Sequence, residues 1–186
     1  MFKNKRLTIT IILLLLLAGI MSVVFVATQP KQAVWNGLRP GTALPSGQLE
    51  KLGAQEATIS GNRPGLYEFL SDIPSAPNTI ALQENTGRIE LISIEEPLEN
   101  PPKFASFVRE FGRAELTMYP IEGELDEKIF VYPERGLAFF VHVPSDTVFR
   151  RWYFTRTNAK DFVLFSKDTL SLEPPAGERF QPPTQL

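Results

Sequence analysis

Tyr132-Pro133-Glu134-Arg135-Gly136-Leu137-Ala138-Phe139-Phe140-Val141-His142-Val143 decides the fold of this chain. Proline early and glycine late mark a tight turn at Pro133–Gly136. The run after it, Leu137–Val143, is apolar at successive positions. It therefore predicts a central strand with both faces covered. Lys128–Tyr132 reads as its extended neighbour. Pro144-Ser145-Asp146-Thr147 is a second short turn, leading into Val148-Phe149-Arg150-Arg151-Trp152-Tyr153-Phe154. Turns this short force antiparallel neighbours.

Upstream, Pro101-Pro102 suits the opening of a helix. Phe104, Phe107, Val108 and Phe111 then fall at i, i+3, i+4 and i+7 on one helical face, and Gly112 closes the run. The same order recurs in weaker form about 59 residues earlier. A short amphipathic run over Ser46–Leu52 ends at Gly53. Extended stretches follow at Gly65–Leu70, Thr79–Gln83 and Arg88–Ile94, with a turn at Glu84-Asn85-Thr86-Gly87. A proline-rich, charged connector, Glu95–Pro102, joins the halves. Phe162–Phe165 reads as a last strand, and the proline-rich tail from Glu173 as disordered. The expectation is an α+β fold: an N-terminal transmembrane helix, then two tandem helix-plus-antiparallel-three-strand repeats forming a sheet packed by short helices. The corresponding segments are 1–27 (cytoplasmic stub and signal-anchor), 28–37 (linker), 38–96 (first repeat), 97–168 (second repeat) and 169–186 (tail).

Leu52-Gly53 and Phe111-Gly112 at the helix ends, with the string Tyr132–Phe139, resemble the tandem modules of the β-lactamase-inhibitor protein. They also resemble the small outer-membrane assembly lipoproteins of the SmpA/OmlA (BamE-like) type. The resemblance spans residues 38–165 and is one of fold. It implies a non-enzymatic module that presents a sheet face or loops to another protein of the cell envelope. Those lipoproteins carry an acylated cysteine. Here there is no cysteine, and a hydrophobic stretch stands in its place.

That stretch runs from Leu7 to Ala27 without a charge. At ~1.5 Å rise per residue, a helix of this length spans roughly 30 Å, the hydrocarbon thickness of a bilayer. It is longer than a signal-peptide core, and Phe25 sits where a cleavage site wants a small residue. An uncleaved anchor is the preferred reading and a cleaved signal its rival. Lys3, Lys5 and Arg6 precede the span and place the N-terminus in the cytoplasm. The body is then outside, in the bacterial periplasm or on the cell surface. Trp35 suits the membrane interface. The three cations before the span leave 16 of the 19 Lys and Arg against all 21 Asp and Glu, a net charge of −5 on the body. That acidity excludes bulk nucleic-acid binding. The absence of cysteine excludes disulfides, a thiol nucleophile and thiolate metal ligands.

No catalytic, cofactor or metal motif emerges. His142, the single histidine, lies close to Ser145 and Asp146, but all three belong to one strand end and its turn. A Ser–His–Asp relay needs the base between the other two. Glu122, Glu124, Asp126 and Glu127 offer oxygen ligands of the kind calcium takes, without EF-hand spacing. An enzyme would require carboxylates from distant segments to meet, for example Glu68 with Glu90 or Asp126. Arg150, Arg151, Trp152, Tyr153, Phe154 and Arg156 form a basic–aromatic patch of the composition found at protein-binding hot spots. The competing reading puts Trp152 and Phe154 in the core while the arginines reach outward. The sequence thus points to a membrane-anchored, extracytoplasmic protein-interaction module. It contacts the bilayer through residues 7–27 and an envelope protein through its body. The alternative is a ligand-binding or sensor domain for an envelope component. Partner identity and oligomeric state are not legible.

Overall fold

The computed structural model of the 186-residue chain describes residues 30–57, 64–73, 75–121 and 126–175. The chain divides into two units, 1–31 and 32–186. Of the first, Pro30 and Lys31 are described and carry no regular element. Everything below concerns the second.

Among the described residues its frame is one nine-stranded antiparallel sheet: β1 (Gln55–Glu56), β2 (Leu66–Phe69), β3 (Asn78–Leu82), β4 (Ile89–Glu95), β5 (Leu116–Pro120), β6 (Glu127–Tyr132), β7 (Leu137–His142), β8 (Thr147–Phe154) and β9 (Leu170–Ser171). The order across the sheet is β1-β2-β3-β4-β8-β7-β6-β5-β9. The helices are short: α1 (Gln48–Leu52), α2 (Phe104–Phe111) and α3 (Ala159–Ser166).

Three expectations need correction. First, the body is not two tandem helix-plus-three-strand repeats. The halves do share one sheet, since β4 pairs directly with β8 from Leu91↔Phe154 to Glu95↔Arg150; the departure lies in the added strands and the unequal helices. β1, β5 and β9 extend the sheet beyond three strands per half. The helices are unequal, since α1 buries no residue whereas α2 packs its aromatic face on the sheet. Second, Phe162–Phe165 is not a strand but part of α3. The Asn158 side chain accepts from the Asp161 N–H (2.9 Å) and donates back to the Asp161 carboxylate (2.8 Å). That reciprocal cap starts a helix. Third, the transmembrane helix finds no support. No helix among the described residues is long and apolar enough to cross a membrane. Leu7–Ala27, with Lys3, Lys5 and Arg6, lies outside the described residues.

The centre follows the pattern of its residues. β7 is buried from Leu137 to Val141 and pairs with β6 on one side and β8 on the other. Strand alternation sends Leu137, Phe139 and Val141 to one face and Ala138 and Phe140 to the other. The first face meets Phe104, Phe107 and Phe111 of α2, with ring centroids 4.4–6.2 Å from Phe139. Leu38, Phe69, Ile80, Ile92 and Tyr153 complete that core. On the second face Phe162 of α3 packs on Phe154 at 4.6 Å, within a cluster holding Met118, Ile129, Phe140, Trp152 and Leu170. Each buried side chain of this size contributes ~1.5–3 kcal/mol. A helix of eight residues is marginal alone, so α2 and α3 exist because the sheet covers them.

The turn between β6 and β7 approaches β8 closely. Gly136 has φ +64°, and a Cβ there would lie 2.1 Å from the Phe154 carbonyl oxygen. Gly87 has φ +60° but open space around it. Gly136→Ala is therefore expected to destabilise the fold by about 3 kcal/mol, and Gly87→Ala by about 1 kcal/mol. Urea denaturation of the two variants checks the difference.

Candidate functional site

The basic–aromatic residues fall on β8 and just beyond it. β8 is an interior strand, so its side chains alternate between the two covered faces. Trp152 and Phe154 enter the second core, and Tyr153 the first. Arg150 and Arg151 are part-buried, and Arg156 is exposed past the strand end. The residues do not form one patch.

The two arginines close a pair of ion pairs across the β4–β8 seam, one on each face. Arg150 Nε donates to the Glu95 carboxylate and lies over the Phe140 ring (5.5 Å to its centroid). Arg151 Nε donates to the Glu96 carboxylate and lies between Phe107 and Tyr153, 5.9 Å from each ring. Both glutamate side chains are almost fully buried, 7% and 6% exposed. Burial pushes the Glu95 carboxyl above its usual range, with Arg150 working in the opposite sense. Burial also raises the Tyr153 hydroxyl, opposed by Arg151.

The remaining candidates separate. His142 Nδ1 lies 2.7 Å from Ser145 Oγ, which lies 2.5 Å from Thr147 Oγ1. Asp146 turns away from them. Its carboxylate accepts from the Ala105 N–H (3.2 Å) and its carbonyl from the Phe104 N–H (3.0 Å), capping α2. Glu68 lies on β2 and Glu90 on β4, with β3 between them. Glu122 and Glu124 lie outside the described residues. Of their neighbours, the Asp126 carbonyl accepts from the Val143 N–H, and Glu127 pairs in register with His142. Among the described residues no three His, Cys, Asp or Glu side chains converge on a metal position. Trp35 sits in a turn with Leu38 and packs on Phe69, centroids 5.4 Å apart, against the first core.

What sequence reading missed is the surface around α3. Leu164 and Phe165 are 59% and 46% exposed, and Ile121 and Leu172 nearby are 48% and 54% exposed. The helix is a ridge between two depressions. On one side a cleft of about 230 Å³ is lined by Phe154, Phe162 and the flank of Phe165, with Gln83, Glu90, Arg156 and Asp161. On the other a groove of about 530 Å³ runs past Met118, Ile121, Val163 and Leu172. It continues around Pro120, Ile121 and Leu170 into a further groove of about 390 Å³. A helical reading of Phe162-Val163-Leu164-Phe165 exposes two of these apolar residues to solvent, which the strand reading conceals.

Two predictions follow from the seam. Removing one partner of a buried pair strands the other charge. Arg151→Ala is expected to cost about 2–4 kcal/mol, and Arg151→Met with Glu96→Gln to recover most of it in a double-mutant cycle. The second is a pH effect at Glu95. Its carboxyl holds a proton more tightly folded than unfolded, so its contribution falls as pH rises from the unfolded value of 4.5 towards the raised folded one. The stability of the wild type relative to Glu95→Gln is therefore smaller at neutral pH than at acid pH, as denaturation at both pH values would show. Compared with protein-family models, curated proteins and solved structures, the chain matches none.

Proposed function

We propose that the sheet domain is a non-catalytic protein-interaction module, carried at a membrane on its extracytoplasmic side. The observation that carries this reading is the α3 ridge, where Leu164 and Phe165 stand in solvent between two depressions. A domain that buries 24 apolar residues among the described ones, Phe162 of the same helix included, gains nothing in folding from leaving these two out. Exposed apolar surface rimmed by polar groups marks interaction sites. The charge-free run Leu7–Ala27 and the cations before it support lipid contact and an outward-facing body.

A ligand-binding or sensor role is the second reading. The cleft of about 230 Å³ favours it, since its lining combines three phenylalanines with polar and charged side chains. That volume lies below the ~300–1,000 Å³ of drug-sized sites, whereas the grooves of about 530 and 390 Å³ lie within it.

The test is crosslinking in native membranes followed by capture of the full chain. A stoichiometric protein partner is expected. Leu164→Ser with Phe165→Ser is expected to reduce its recovery at least about tenfold, a loss of about 1.4 kcal/mol or more, while far-UV circular dichroism is unchanged. Recovery unaffected by the double substitution would remove the ridge from the interface.

A further inference from the structure

We propose that the groove beside β9 receives a lysine or arginine side chain of the protein partner, an assignment that rests on the interaction-module reading above. The floor is aromatic. Phe140 meets Trp152 edge-on at 4.7 Å and Phe149 at 6.1 Å between centroids. Phe149 is there because the register between β7 and β8 shifts at Phe140/Val141: Phe140 faces Arg150 and Val141 faces Val148, leaving Phe149 as the extra residue. Glu127 from β6 and Asp168 from the turn after α3 line the same groove, and Leu170 closes its β9 side. Neither carboxylate has a salt bridge or side-chain hydrogen bond among the described residues.

A cation already rests on this floor. The Arg150 guanidinium lies 5.5 Å from the Phe140 centroid, held by the Glu95 carboxylate. The buried Glu95 carboxylate offsets that guanidinium from beneath, and Glu127 and Asp168 add two negative charges beside it on the groove lining. Aromatic faces attract cations through the ring quadrupole, and carboxylates bind ammonium and guanidinium by charge-assisted hydrogen bonds. The groove thus combines apolar area for a long side-chain stem with negative charge for its head. Its continuation past Ile121, Val163 and Leu172 is mainly apolar, with Lys167 and Glu173 also on its lining, and accommodates the hydrophobic residues flanking such a cation. An acidic partner segment would meet two carboxylates without an ion-pair partner among the described residues and be repelled.

Fluorescence anisotropy of labelled octapeptides against the purified full chain tests this. The probes alternate leucine with arginine, with serine or with glutamate. The arginine peptide is expected to bind at least about tenfold more tightly than the serine and glutamate peptides. Glu127→Gln with Asp168→Asn is expected to erase that preference, and Glu110→Gln with Glu134→Gln, on other surfaces, to leave it intact. Phe149→Ala is expected to weaken the arginine peptide while preserving its salt dependence. Equal binding of all three peptides, a preference that survives Glu127→Gln with Asp168→Asn, or no saturable binding of the arginine peptide up to about 1 mM overturns the assignment. If any of these occurs while crosslinking still recovers a partner through the α3 ridge, the groove assignment fails and the interaction reading stands.

Discussion

The β4–β8 pairing is the constraint on which the rest depends. It joins strands roughly sixty residues apart in sequence and converts two meanders, β2-β3-β4 and β6-β7-β8, into one sheet. Both cores cross it. Ile92 and Ile94 meet Tyr153 and Arg151 on one face, while Leu91 and Ser93 meet Phe154 and Trp152 on the other. At its end the two glutamates are buried against two arginines, one pair on each face, with each guanidinium also lying over an aromatic ring. Such charges tolerate burial only when paired. Register is set by the apolar alternation: a one-residue slip would turn Trp152 and Phe154 out of one core and Tyr153 out of the other, whereas the adjacent glutamates and arginines could exchange partners.

The two faces are finished differently, and the candidate function lies in that difference. One face is closed by α2 and by the segment from Gln32 to Ala54, with Leu38, Trp35 and the α2 phenylalanines filling the space. The other is closed by one short helix. α3 anchors through fully buried Phe162 and leaves Leu164 and Phe165 outside, with a depression on each flank. The aromatic groove lies where this thinner cover ends, across β8, β7 and β6 and bounded by Pro120 of β5 and Leu170 of β9.

Sequence patterns reveal the local parts of this fold. The all-apolar run Leu137–Val141 marks the centre of the sheet, the Phe104–Phe111 spacing marks a helix with one aromatic face, and Pro133 and Gly136 mark a tight turn. The seam is hidden because strand pairing across sixty residues depends on side-chain fit and not on local spacing. The apparent repeat misleads for the same reason: similar element order says nothing about β1, β5 and β9 or about which strands become neighbours. α3 is misread because four apolar residues in a row suit a strand as well as a helix; the deciding signal is Asn158 followed three residues later by Asp161. At the site, Arg150–Phe154 are legible as unusual, but alternation on an interior strand divides them between two faces. Their consequence is structural, and the exposed surface belongs to α3.

Native-state hydrogen exchange of the Leu91–Ile94 and Trp152–Phe154 amides tests the central claim most directly. If the seam holds one cooperative sheet together, its hydrogen-bonded amides exchange only with global unfolding and share the protection of those in Leu137–Val141. Seam amides that exchange faster than those on both sides, with β2–β4 and β6–β8 each remaining protected, would show two separable halves and contradict the account.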